Sequence, residues 1–358
     1  MDVGLHLCFG AYGSEGVTDG EVYRQEIALA KLADERGFDC VWAVEHHFSD
    51  YSFCPDNLQL LSWIAGATRN VDVGTAAVIL PWHDPVRVVE KVSMIDHLTE
   101  GRFRFGMGRG LSRREYALFR DVEMDESRDR FNEAAEMIIT GLKTGYVQGD
   151  GPFYKQPRTE IRPRPERDFS ERLYLVASSD DSIDSAARFG GSMTMFADRP
   201  WEKRVEGLAT WRELHEQYHG HPPTRAPLSC DFIVCTESAD EAEELAVRHL
   251  TTYLESVQIH YEMLGEHFSL TKGYEAYAAA AKAMRERGGE NLMLKGFLRS
   301  AAWGTPDQVL EKLAYRRELL GDFELALTVR FGGIPFEKAR GSLELFASKV
   351  LPELKSWS

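Results

Sequence analysis

The stretch Val41 to Tyr51, VWAVEHHFSDY, closes an apolar run with three adjacent ionisable side chains, Glu45, His46 and His47. An apolar run of this kind reads as a buried strand, and buried strands seldom finish in neighbouring titratable groups unless those groups are used. Side chains alternate along a strand, so His46 would face away from Glu45 and His47. Adjacent histidines on opposite faces share one metal ion poorly, so no metal is expected. Imidazole titrates near neutrality, which suits His46 to handling a proton. The competing possibility is a structural pair, one histidine hydrogen-bonded and the other exposed.

A second group of side chains could hold an anion. GRFRFGMGRG, Gly101 to Gly110, carries glycines whose spacing misses the dinucleotide fingerprint, because Leu111 stands where the third small residue belongs. Gly108 and Gly110 instead let the backbone and Arg109 approach a ligand at a strand end. Arg128, at the start of the following helix, is either a solvated surface arginine or a partner for Arg109 in a bidentate phosphate clamp. In VASSDDSIDSAARFG, Ser178, Ser179 and Ser182 lie at a helix start, where hydroxyls and free N–H groups receive anions. Asp180 and Asp181 argue the other way, as helix caps that would repel phosphate. Gly74, Thr75, Ala76 and Ala77 are small enough to leave room for a flat ligand.

These residues need a scaffold, and the rest of the chain supplies one. Short apolar runs alternate with helical patterns from VGLHLCFG onward, and eight strand candidates are countable: VGLHLCFG, FDCVWAVEHH, VDVGTAAVILP, GRFRFGMGRG, LYLVAS, SMTMFA, APLSCDFIVCT and FELALTVRFGG. Eight β-α units predict a (β/α)8 TIM barrel, an α/β fold of one domain over 1–358; a doubly wound sheet is the rival. In either fold the loops after the strands build the site. Insertions are expected at about 146–170, a hairpin or loop, and 265–303, partly helical. Asp19 is read as the cap of the first helix and Gly37 as its stop.

Composition narrows the partners. With 42 basic and 57 acidic side chains the formal charge is −15, which disfavours nucleic acid and anionic membranes. Five cysteines without a C-x-x-C pair fit a reducing, cytoplasmic setting. No targeting signal and no membrane span is read.

WAVEHHF, DVGTAAVILP, HDPVRVVEKVSMIDHLTEGRF, FGMGRGL, DESR and the GTP of Gly304 to Pro306 occur in an order that resembles the bacterial luciferase-like flavin monooxygenases, nearest to their catalytic alpha chains. The resemblance implies a TIM barrel holding FMN, as FMNH2, at its C-terminal mouth, with O2 as co-substrate. It makes His46 the catalytic histidine and places Glu45 and His47 at the flavin. Arg109 and Arg128, with Ser178, Ser179 and Ser182, would surround the phosphate, and Ala76 and Ala77, joined by a cis peptide, would lie behind the ring. Gly108 replaces a reactive cysteine of the relatives and Ser178 a glutamate. Residues 265–303 correspond to a mobile lid. The implied activity is a two-component monooxygenase that inserts one oxygen atom, through a hydroperoxyflavin, into a small hydrophobic organic substrate such as an aldehyde. Phe9, Tyr12, Trp82 and His83 are the expected substrate pocket. A separate flavin reductase is implied, because no second nucleotide motif is found. Kinship also implies a homodimer, or a heterodimer with a paralogue, through helices around 55–69 and 85–98. The alternatives are a deazaflavin-dependent oxidoreductase on the same barrel and a non-catalytic flavin-binding subunit.

Overall fold

The computed structural model describes residues 1–119, 122–287 and 289–357. Eight parallel strands run in chain order: Val3–Leu7, Cys40–Ala43, Asp72–Thr75, Phe103–Gly108, Leu173–Val176, Ser192–Phe196, Leu228–Cys235 and Glu324–Thr328. Each pairs with the next, and the last pairs with the first through Val3↔Leu325 and Leu5↔Leu327, so the sheet is a closed barrel and the doubly wound alternative is excluded.

Period-two alternation explains how the barrel is filled. Val3, Leu5, Leu7, Val41, Val73, Phe103, Phe105 and Leu327 belong to the large cluster shared with the surrounding helices. Trp42, Ala76, Tyr174, Cys230 and Ala326 form a separate cluster of buried residues inside the ring. Trp42 fits there because Gly74 faces it: a Cβ on Gly74 would come within 2.4 Å of the indole. At the N-terminal end of the barrel, Arg104 bonds Asp2, Asp72 and Glu324, and Arg225 bonds Asp2 and Glu324, closing that end with charge. The opposite end is left open for a ligand.

Local signals account for most helix ends. The first helix, Asp19–Glu35, is capped by Thr18, whose hydroxyl accepts the Glu21 N–H; Asp19 is the first helical residue and not the cap. Gly37, at φ 79°, follows its end as expected. Strands Tyr146–Asp150 and Lys155–Glu160 form the anticipated antiparallel hairpin. After the seventh strand, the long helix Ala239–Tyr261 leads into a turn at His267–Leu270 and helices Glu275–Arg287 and Glu290–Ser300, and strand Ala302–Gly304 then joins the seventh strand. Among the described residues no helix is long and apolar enough to cross a membrane.

Candidate active site

A cavity of about 730 Å³ opens where the strands end. Its floor is made by His6, Ala76, Cys230 and Thr328, and helices Glu275–Arg287 and Glu290–Ser300 contribute Met284, Met293 and Phe297 to its cover. Ala76 and Ala77 both line it, and the peptide between them is cis. Gly106 is required just below: a Cβ there would lie 1.9 Å from the Thr75 carbonyl, whose own hydroxyl donates to the Gly106 carbonyl. His6 lies in the floor with its Nδ1 3.0 Å from Thr328 Oγ1; burial pushes its pKa down to about 4, which keeps it neutral.

The three ionisable residues that follow the second strand separate into two sets. His46 lines the cavity; its Nδ1 is 3.1 Å from Glu115 Oε1 and its Nε2 3.1 Å from the Tyr261 hydroxyl. Glu45 also lines the cavity, but its carboxylate is engaged, accepting from His83 Nε2 at 2.7 Å and from the Ile79 N–H at 2.8 Å, with His47 Nε2 3.3 Å away. Burial alone would raise the Glu45 carboxyl, but the His83 charge and the bonds from His47 and His83 hold it below its ordinary value. His83 shifts upward, since Glu45 outweighs the opposing effect of burial. Glu45 thus ties the third-strand loop to the second.

At another part of the wall two guanidinium groups stand without an anionic partner. Arg109 and Arg128 both line the cavity, and neither forms an ion pair with a carboxylate among the described residues. Arg109 stacks 3.8 Å above the Tyr274 ring and donates to the Gly273 carbonyl at 2.9 Å. The buried Nε of Arg128 has no hydrogen-bond partner. Burial first, and the like charge of Arg109 second, lower the Arg128 pKa to about 10. Arginine stays protonated, so an anion placed beside Arg128 would relieve both the burial of its charge and the repulsion from Arg109. Ser178, Ser179 and Ser182 line the cavity beside the start of helix Asp180–Arg188, and the Ser182 hydroxyl accepts the Ser178 and Ser179 N–H groups. Asp180 and Asp181 are exposed and do not line the cavity. Cation pair, hydroxyls and volume together fit a phosphate-bearing ring cofactor; pockets for such ligands span roughly 300–1,000 Å³.

The expected substrate residues divide. Trp82 lines the cavity, stacked on Phe119. Phe9 and Tyr12 are not part of the lining: both have left-handed backbones, φ 53° and 55°, Phe9 is buried in the core, and the Tyr12 ring packs 6.2 Å from Tyr253. His83 is taken up by Glu45, and His47, packed against Phe119 and Trp82, also lies off the lining. Three residues that sequence reading passed over complete the site: Glu115, Tyr261 and Tyr274. Glu115 sits in the short helix Arg113–Tyr116, and nothing in its local sequence distinguishes it from a surface acid.

Known proteins resemble this chain over most of its length. The alkanal monooxygenase alpha chain of Photorhabdus luminescens is 25% identical over 338 residues, 94% of this chain and 93% of that one. The crystal structure of monooxygenase RslO1 from Streptomyces bottropensis superposes with a TM-score of 0.80 at 27% identity, covering 99% of this chain and all of the other. The oxygenating constituent of 3,6-diketocamphane monooxygenase from Pseudomonas putida, solved in complex with FMN, shares the fold at a TM-score of 0.74 and 19% identity, over 99% and 98% of the two chains. The profile of the luciferase-like monooxygenases matches residues 1–322. With a closed eight-stranded barrel, a ligand-sized mouth and that match across most of its length, the chain belongs to the luciferase-like monooxygenase family.

Proposed function

We propose that the chain is the oxygenating component of a two-component system, taking FMNH2 from a separate reductase and inserting one atom of O2 into a hydrophobic organic compound. Bound reduced flavin supplies the electrons that activate O2. Arg109, Arg128, Ser179 and Ser182 would hold the phosphate, with Ser178 beside them, and the small side chains of Ala76 and Ala77 would leave room for the ring. His46 would hold or release a proton at Nε2. The cover formed by the two helices within 275–300 would keep water from the reacting atoms.

The observation that carries this reading is the pairing of unneutralised Arg109 and Arg128 with the His46 imidazole in one cavity of about 730 Å³. Phe196, Phe232, Val257, Met284 and Phe297 give that cavity an apolar wall, which favours an aldehyde or another compound with a long apolar body. Anaerobic titration with FMNH2, followed by O2 and a panel of aldehydes, ketones and terpenoids, should give a product heavier by one oxygen atom. Tight binding of a reduced deazaflavin with none of FMNH2 would reject the cofactor. FMNH2 binding with no product from any compound would point to a binding subunit.

A further inference from the structure

We propose that the buried Glu115 carboxylate bridges two imidazoles, His46 and His260, and that this triad fixes which nitrogen of His46 faces the cavity. Glu115 and His260 are then positioning residues. The inference rests on the reading of His46 as the proton-handling group.

The geometry is specific. Glu115 Oε1 lies 3.1 Å from His46 Nδ1 and accepts the His47 backbone N–H at 2.7 Å, while Oε2 lies 3.3 Å from His260 Nε2. The side chains of Glu115 and His260 are each only 2% exposed. Oε2 and His260 Nε2 approach each other without hydrogen-bond alignment, and among the described residues neither buried atom has any other polar partner. On its far side His260 Nδ1 is 2.9 Å from Ser49 Oγ, and the Tyr51 ring stacks on the imidazole at 4.7 Å.

Those contacts assign protons. An ionised carboxylate only accepts, so His46 must carry its hydrogen on Nδ1, and a hydrogen on His260 Nε2 is the tautomer that places a donor rather than a lone pair toward Oε2. His46 Nε2 is left with its lone pair toward the cavity, where the Tyr261 hydroxyl donates to it at 3.1 Å. His260 Nδ1 accepts from Ser49 in the same way. The triad draws on three parts of the chain: the loop after the second strand, the short helix Arg113–Tyr116, and the end of helix Ala239–Tyr261. The last of these leads directly into the covering segment. Any shift of that helix end alters the support behind His46.

Nitrogen-15 NMR of labelled histidines in the whole protein, without cofactor and above the imidazole titration range, reads the tautomers directly. His46 is expected as the Nδ1–H form and His260 as the Nε2–H form. In Glu115→Ala the His46 signals should move to the Nε2–H form. His260→Phe, which keeps the stacking ring, should perturb the His46 signals and lower kcat by about 10-fold at unchanged KM, and His260→Gln, which can still donate to Glu115, should restore most of it. His46 found as Nε2–H in the native protein, or His46 signals indifferent to His260→Phe, would overturn the proposal. So would stoichiometric Zn²⁺ uptake that shifts both histidines, since the ligand-type atoms of His46, Glu115 and His260 all lie within 4.8 Å of one another. Unchanged oxygenation in His46→Ala, with the tautomers as expected, would count instead against the catalytic reading of His46 and leave the triad standing.

Discussion

Removal of the His46 imidazole should separate chemistry from binding. His46→Ala is expected to lower oxygenated product by about 100-fold or more while FMN affinity, measured by fluorescence quenching, stays close to native. Arg128→Ala should do the reverse, weakening FMN by about 10- to 100-fold through the loss of a charge-assisted contact, as the same titration would show. Glu115 predicts a pH effect. Burial would raise its carboxyl, but the His46 charge and the bonds from His260 and His46 bring it down to about 2 from 4.5. A folded value below the unfolded one gives stability that is complete above pH 4.5 and is lost as pH falls toward 2. That difference corresponds to on the order of 3 kcal/mol, so Glu115→Gln should flatten the acid limb of denaturant stability measured across pH. Arg109, Arg128, Ser178, Ser179 and Ser182, singled out in the sequence, all come to line the cavity. Glu115 was not singled out, since it reaches His46 across 69 residues, a distance no local pattern spans. Phe9 and Tyr12 lie off the lining, and their positive φ angles are a local feature that neither residue type announces.

Elements follow their own rules. All eight strand runs identified from apolar patterning occur, because each must bury one face under helices and so keeps its period. Helix starts were less legible: Thr18 and Asp19 are both good caps, and only backbone geometry selects Thr18. The 265–303 segment, expected to be partly helical, holds helices Glu275–Arg287 and Glu290–Ser300, yet what fastens it could not be read from the sequence. Tyr274 donates to the Gly110 carbonyl at 2.9 Å and meets Ser127, and Lys272 pairs with Asp129. Tyr274→Phe should therefore speed limited proteolysis between 265 and 300, and FMN should slow it in the native protein. Equal cleavage rates in the two proteins would remove Tyr274 from this role. Within the barrel, Gly106→Ala should cost on the order of 3 kcal/mol in chemical denaturation, because the clash is with backbone that cannot yield.

For the whole molecule, the helices Asn57–Ala67 and Pro85–Leu98 leave Trp63, Met94 and Leu98 exposed, at 52%, 46% and 64%. Exposed apolar side chains of that size on two neighbouring helices make this face the one to test for the dimer that the resemblance implies. Leu98→Glu should convert a dimer to a monomer in light scattering; a native monomer would dismiss this face as an interface. The cover and the clamp also have different origins. Arg109, Ser179 and His46 come from loops that the cylinder holds rigidly, whereas Met284, Leu292, Met293 and Phe297 come from one contiguous stretch. Exchange of that stretch as a single cassette would therefore remodel the roof of the cavity while leaving the residues beneath it in place.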